Sequence, residues 1–340
     1  MVSICRFFIP VAMTLGVIVG CSGNAELPRA HSEELAVHCD SLFPYTYSHG
    51  VDELHSLMVL KGGKVLYERW APGHGPEELH IQWSASKTYT ATAIGFAAQD
   101  GLLTVEDPVV SFFSEDELPE NPDERLSKVL VKHLLAMSSG FRNINLNLAM
   151  RSEKEIEPVK EALASEIINE PGTVFLYNAT DSFLLSAIIT KLTGLSLEDY
   201  LAKKLFNPIG IKHWYCDKDA SGYNPGAYGL FLSTESMAKM GQFMLQRGQW
   251  KGRQLLNREW FDAAMSPQIM SGPYHPDDDW AQGYGYQMWC CTHGAYRLDG
   301  AWGQFVVIIH DKDAVVVCTA HAGDNGHLLR GVWKYVLPAL

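Results

Sequence analysis

The spacing of apolar residues changes period three times along the chain. Leu57-Met58-Val59-Leu60 and Val65-Leu66-Tyr67-Glu68-Arg69-Trp70 are short strand-like runs, and Lys61-Gly62-Gly63-Lys64 between them supplies a turn. Together they predict a β-hairpin over 54–70. A loop with Pro72, Gly73, Gly75 and Pro76 follows. It leads into a run of small and apolar residues, Ala91, Ala93, Ile94, Gly95, Phe96, Ala97 and Ala98, closed by Gly101. Such a run predicts a central helix that neighbouring elements approach closely. From 108 to 250 the period is mainly helical, with helices predicted over 129–137, 155–169, 181–193 and 197–205. Gly194 closes the third, and Asn207-Pro208 is expected to end the fourth. Residues 222–232 are rich in glycine and tyrosine and read as a loop. The last ninety or so residues return to strand-like runs at 284–289, 295–298, 304–309 and 314–318, and 325–337 closes the chain as a helix. A hairpin at the front and short-linked strands at the back imply one antiparallel sheet with a helical insertion, an α+β layout.

Composition narrows the class. The chain has 340 residues, 47% of them hydrophobic, enough for one large domain or two intimate lobes. Formal net charge is -12, from 27 Lys+Arg against 39 Asp+Glu. With no basic block, this argues against nucleic acid as a partner. The N-terminus reads as an export signal: Arg6, then an apolar stretch over 7–20 broken by Pro10 and too short for a good membrane span. It ends Ile18-Val19-Gly20-Cys21, similar to a bacterial lipoprotein processing site, with Ser22 resembling an outer-membrane signal. The expected division is a signal peptide over 1–20, a tether over 21–34 with Cys21 lipidated, and one domain over 35–340. The expected place is the periplasm or the outer membrane, through that lipid anchor. Beyond Cys5 and Cys21, Cys39, Cys216, Cys290, Cys291 and Cys318 remain, which leaves open one disulfide or buried free thiols.

Chemistry concentrates at Ile81-Gln82-Trp83-Ser84-Ala85-Ser86-Lys87-Thr88. Positions three apart on a helix share a face, so the Lys87 amine can sit beside the Ser84 hydroxyl. A serine hydroxyl needs a base to become a nucleophile, and a lysine serves only when burial disfavours its charge. Ser-x-x-Lys is short, and Ser236-Met237-Ala238-Lys239 repeats it. There Ser233 reads as an N-cap and Met237, Met240, Phe243 and Met244 as an apolar stripe, so an ordinary helix is expected. His74 and His80 have no evident carboxylate or cysteine partners and read as surface residues. His275-Pro276-Asp277-Asp278-Asp279 lacks calcium-loop spacing and reads as a solvated acidic turn. No metal or cofactor is expected.

Further segments resemble the serine β-lactamase-like superfamily from about Leu54 to the C-terminus. His133-Leu134-Leu135-Ala136-Met137-Ser138-Ser139-Gly140 and Pro171-Gly172-Thr173-Val174-Phe175-Leu176-Tyr177 look like two of its ordered segments, the second carrying a tyrosine. Asn207-Pro208-Ile209-Gly210 and 229–234 resemble it as well. The resemblance implies a β-lactamase/DD-peptidase-like fold, with a sheet lobe at about 50–107 and 251–340 and a helical lobe at about 108–250. It implies Ser84 as nucleophile, Lys87 as its base partner and Tyr177 as proton relay. It places the third motif at Leu298-Asp299-Gly300, and the backbone N–H groups of Ser84 and Ala301 as the oxyanion hole. A lysine and a phenol side by side are expected to favour each other's ionised forms.

Two departures bear on substrate. Asn178-Ala179 stands where lactamases have x-Asn after the tyrosine, and Leu298-Asp299-Gly300 replaces Lys-Thr-Gly. The cation that meets a substrate carboxylate is missing, and Arg297 is the one nearby group to replace it. These features resemble the branch of 6-aminohexanoate-dimer hydrolases and carboxylesterases. Asn178, Gly300, Trp302 and Gln304 are then the expected substrate contacts, with Trp83 and Trp302 as an apolar acyl wall. The expected function is acyl-enzyme hydrolysis of a small-molecule ester or small amide. The alternatives are a β-lactamase or DD-peptidase, or a non-catalytic wall-binding protein on the same fold.

Overall fold

The computed structural model describes residues 26–48, 53–142 and 157–340. The expected signal segment and Cys21 lie outside the described residues, as do the first two residues of the helix expected over 155–169.

A six-stranded antiparallel sheet forms the frame. Its strands are β1 (Glu53–Lys61), β2 (Lys64–Trp70), β8 (Trp289–Cys290), β9 (Tyr296–Gly300), β10 (Gln304–Ile309) and β11 (Ala314–His321), in the order β2-β1-β11-β10-β9-β8. The front hairpin therefore pairs with the last strand of the chain, Val59 opposite Val316. Both faces of this sheet are covered, which explains unbroken apolar runs such as Val315-Val316-Val317 where one wet face would impose alternation. Met58, Leu60, Leu298, Val306 and Val317 face one core, and Leu57, Val59, Phe305, Val307 and Val316 face the other.

Helices α1 (Glu33–Asp40) and α2 (Leu42–Tyr47) and the C-terminal helix (Asn325–Gly331) pack on the second core. On the first lies α3 (Ser86–Gln99), in which every residue from Ser86 to Ala97 is buried. The helical part adds α4 (Val131–Leu135), α5 (Pro158–Leu163), α6 (Thr180–Thr193), α7 (Leu197–Leu201) and α8 (Thr234–Leu245). A small second sheet, β3-β5-β4, joins His80–Ile81, Leu230–Leu232 and Trp214–Cys216. Strands β6 (Gln249–Trp250) and β7 (Arg253–Gln254) form a minor hairpin. The mixed helix and antiparallel-sheet architecture is the one expected.

Several local expectations need correction. Residues 27–30 of the expected tether are held on the domain: the Leu27 N–H donates to Glu235 Oε1 at 2.8 Å and the Ala30 N–H to the Val65 carbonyl at 2.8 Å. Pro208 does not end its helix. A wide turn over Ala202–Phe206 accommodates a residue with no N–H, and the helix runs on to a left-handed Gly210. The end of the 222–232 loop is strand β5, because its partner β3 lies far away in sequence. The 284–289 run is mostly not a strand, since Gln287 turns left-handed within it. His80 is buried and His74 sits against Glu78 at 2.9 Å, so neither is a plain surface residue. Of the acidic turn, Asp279 is buried and accepts from the Trp333 indole N–H at 2.7 Å. Cys39, Cys216, Cys290, Cys291 and Cys318 are free thiols.

Candidate active site

Ser84 lies on a single tight turn, Trp83–Ala85, between β3 and α3. Trp83 before it is left-handed, φ 45°. Met137, Gln287 and Trp302 are left-handed too, at φ 55°, 55° and 64°. These four strained positions adjoin the segments carrying Ser84, Tyr177 and Ala301, and strain of this kind gathers where a site is held in a fixed shape.

Lys87 is one turn beyond Ser84, on α3, and is 3% exposed. Its amine donates to the Ala227 carbonyl at 3.0 Å and stands 5.2 Å from the centre of the Tyr177 ring. Burial pushes its pKa from 10.5 down to about 7, against the pull of Asp181. An ammonium offers three donors, and the described residues supply one hydrogen-bond acceptor here.

Tyr177 precedes α6 and is half-buried. The ring stacks on Trp289 at 5.7 Å and 27°, and meets the edge of Tyr284 at 6.1 Å. Burial raises the Tyr177 phenol above its ordinary value, and the nearby Ser84 hydroxyl only partly offsets this. The expected mutual ionisation of lysine and phenol is therefore corrected. The amine lies over the ring face, and desolvation suppresses the charge on both groups.

Asp181 is a component that the sequence reading missed. It is fully buried on the first turn of α6, and burial raises its pKa from 3.8 to about 7. The Ser139 hydroxyl donates to its Oδ1 at 2.6 Å, while Oδ2 has no hydrogen-bond partner among the described residues. Asp181 and Lys87 interact electrostatically, each favouring the other's charge. An acidic residue at a helix start ordinarily reads as a dipole partner. The signal that distinguishes this one is its place as the only acid in an apolar helix.

The third motif runs along the edge of β9. A Cβ on Gly300 would sit 2.2 Å from the Gln82 carbonyl, so this strand passes against the backbone just before Ser84 only because position 300 is glycine. Ala301 and Trp302 follow and are exposed. They border an open groove of about 570 Å3 that Trp280, Asn325 and Arg330 also line. Trp302 stacks on His321 at 4.6 Å.

Other expected substrate contacts are turned inward. The Asn178 side chain accepts from the Asp181 N–H at 2.7 Å and donates to the Leu176 carbonyl at 2.9 Å, fixing the start of α6. Gln304 is 3% exposed and donates to the Ala320 carbonyl at 2.7 Å, bracing the 300–304 turn. Arg297 is no free cation: it is fully buried, bonded to Asp299 at 2.8 Å and covered by Trp280. Leu298 points into the core. The aromatic wall near the serine is Phe175, Tyr177, Tyr284 and Trp289 rather than a pair of Trp83 and Trp302. The second Ser-x-x-Lys is structural: Lys239 donates to the Gly210 carbonyl at 2.7 Å and lies 3.8 Å from Glu235.

Known proteins share this fold. The 6-aminohexanoate-dimer hydrolase of Paenarthrobacter ureafaciens is 21% identical over 283 residues, 77% of this chain and 71% of that enzyme. A candidate 6-aminohexanoate-dimer hydrolase from Bacillus anthracis superposes with a TM-score of 0.76 at 21% identity, covering 92% of this chain and 87% of that one. A family VIII carboxylesterase superposes with a TM-score of 0.69 at 15% identity, over 93% of this chain and all of that one (100%). The chain spans about half the length of other curated relatives it matches, such as 55% of a Yersinia enterocolitica β-lactamase. The profile named Beta-lactamase matches residues 55–339, and the chain belongs to the β-lactamase family.

Proposed function

We propose that this chain is a serine hydrolase that forms an acyl-enzyme on Ser84 and acts on an ester or a small amide. One observation carries the reading. A buried lysine, held near neutrality in pKa, sits one turn from a serine whose hydroxyl lies close enough to the half-buried Tyr177 to favour its ionised form. Uncharged Lys87 takes the Ser84 proton as Oγ attacks the substrate carbonyl. The backbone N–H groups of Ser84 and Ala301 hold the developing oxyanion. Tyr177, protonated at neutral pH, gives its proton to the leaving group and regains one from the Lys87 ammonium; water then attacks the acyl carbonyl, giving a proton to Lys87 that returns to Ser84 Oγ as the acid leaves.

Two features favour an ester or small amide over a β-lactam or a peptide C-terminus. Leu298 occupies the position of the missing cation, and Arg297 is already neutralised by Asp299. Relatives that include a 6-aminohexanoate-dimer hydrolase and a carboxylesterase support that choice, beside others that are β-lactamases.

A panel of a fluorophosphonate probe, short-chain esters, aminohexanoate dimers and a chromogenic cephalosporin tests the proposal. Ser84→Ala is expected to lose labelling and turnover while staying folded. Lys87→Ala and Tyr177→Phe are each expected to cost about two orders of magnitude or more in rate. Full activity in Ser84→Ala overturns the site. Efficient cephalosporin turnover overturns the substrate ranking. Neither labelling nor turnover in the wild type would point to the non-catalytic alternative.

A further inference from the structure

Four histidines from separate parts of the chain meet at one end of the main sheet: His55 on β1, His74 in the loop after β2, His80 on β3 and His321 at the end of β11. Two carboxylates, Glu53 and Glu78, lie among them. The His55 and His74 rings stack with centroids 4.0 Å apart and planes 14° apart, and His55 and His80 are 5.6 Å apart. Glu53 reaches toward both stacked rings, 3.8 Å from His74 Nε2 and 4.0 Å from His55 Nε2. One ligand atom each from Glu53, His55 and His74 fall within 4.8 Å of one another.

Three details go beyond a chance gathering. Glu78 accepts from His74 Nδ1 at 2.9 Å, which fixes the tautomer and leaves the Nε2 lone pair facing Glu53 and His55. A carboxylate behind a histidine is the usual outer partner of a metal-bound imidazole. Among the described residues, the ion pairs of Glu53 and Glu78 are all to histidine, with no lysine or arginine to neutralise them. His55 Nδ1 is buried without a hydrogen-bond partner among the described residues, which leaves the ring's polar edge open to a ligand.

We propose that Glu53, His55 and His74 form a binding site for a divalent transition cation of the zinc class, with Glu78 orienting His74. Two imidazoles and one carboxylate suit such an ion better than calcium or magnesium, which take oxygen ligands. Ligand distances of about 2.0–2.2 Å put the donors of a tetrahedral ion about 3.3–3.6 Å apart. The observed separations reach that by tilting the two rings out of their stack and drawing in Glu53, whose side chain is 57% exposed. Bound there, the ion fastens the loop carrying His74 to the start of β1. That loop leads through β3 to Ser84.

Zinc titration of the metal-stripped full chain, in competition with a chromophoric chelator, tests this. The expected result is one zinc per chain and a rise in Tm on binding. His55→Ala, His74→Ala and Glu53→Gln are each expected to weaken binding more than Glu78→Gln, for which the loss of an outer partner predicts about 10–100-fold. Glu53→Gln alters an exposed side chain, so it reports on binding even where a histidine variant unfolds. Ser84→Ala is expected to bind zinc like the wild type, which separates this outcome from that of the hydrolase proposal. No stoichiometric binding by the wild type, or undiminished binding in Glu53→Gln and His74→Ala, overturns the site. Binding lost equally in the control His293→Ala, an exposed residue beside the opposite edge strand β8, does the same.

Discussion

The proton inventory of the Lys87–Asp181 pair makes Asp181→Asn the most informative perturbation. Lys87 falls from 10.5 to about 7, chiefly through burial, and Asp181 is the one charge that opposes the fall. At pH 7 an ordinary lysine is uncharged in about one molecule in three thousand, whereas a pKa near 7 makes it uncharged in about half. Burial thus supplies about three orders of magnitude in available base. The wild-type kcat/KM for a short-chain ester is expected to fall about tenfold per pH unit below neutrality, as for a base that must be unprotonated in the free enzyme. Asp181→Asn keeps the acceptor for the Ser139 hydroxyl and removes the negative charge. Without that charge the Lys87 ammonium loses its counterion, its pKa drops further, and the acid limb moves to lower pH. The variant should therefore outperform the wild type relative to each plateau near pH 7, where part of the Asp181 population is ionised. The assay is a kcat/KM profile from pH 5 to 9 with pH-independent product detection. A limb that stays put or moves upward refutes the reasoning. Loss of activity at every pH would transfer the base role to Asp181.

The same pair shapes stability. Asp181, raised from 3.8 to about 7, keeps a proton in the folded state across that window that the unfolded chain has released, so its contribution falls as pH rises to neutrality. Lys87, lowered from 10.5 to about 7, lacks in the folded state a proton that the unfolded chain holds between those values, so stability recovers as pH rises above neutrality. The two penalties overlap near pH 7, which is where the site needs an uncharged amine.

Gly300→Ala puts a methyl 2.2 Å from the Gln82 carbonyl, and about 1–3 kcal/mol of stability should be lost with a fall in kcat; denaturant melts and ester kinetics check both. Arg297→Ala strands the buried Asp299 carboxylate and should cost about 3–5 kcal/mol in the same melts, with no selective loss of cephalosporin over ester turnover. If Cys21 carries lipid, the processed protein should partition with membranes, and Cys21→Ser should release it or block processing. A processed N-terminus found elsewhere by mass spectrometry excludes the anchor.

What was legible in the sequence was whatever is encoded locally. The β1–β2 hairpin, β10 and β11 follow from short apolar runs with turn residues between them. The central helix follows from its small residues, and Ser84 and Lys87 from their spacing on it. The misreadings share a cause: each depends on a contact that the residue types alone do not announce. Strand β5 is three residues long and pairs with His80–Ile81, about 150 positions away. Asn178 and Gln304 are polar residues beside motif positions, and only the fold shows their amides committed to backbone groups. Arg297 reads as a free cation until Asp299, two residues on, is seen on the same side of β9 with Trp280 above it.

The histidines are the sharper case. His55, His74, His80 and His321 show no ligand spacing, and in sequence each lacks a partner. The register of β1 against β11 places Glu53 opposite His321, and the turn after β2 folds His74 back over His55. The Lys87 pKa arises in the same way, because no residue near it in sequence removes the water from its amine. Ala227 comes from one distant segment and Tyr177 with Asp181 from another; α3 bonds the first at Gly226 and Ala227, and the Ser139 hydroxyl and the Asn178 side chain hold Asp181. The motif supplies the chemical groups. Long-range packing sets which of them are charged, and the Asp181→Asn profile measures that contribution by itself.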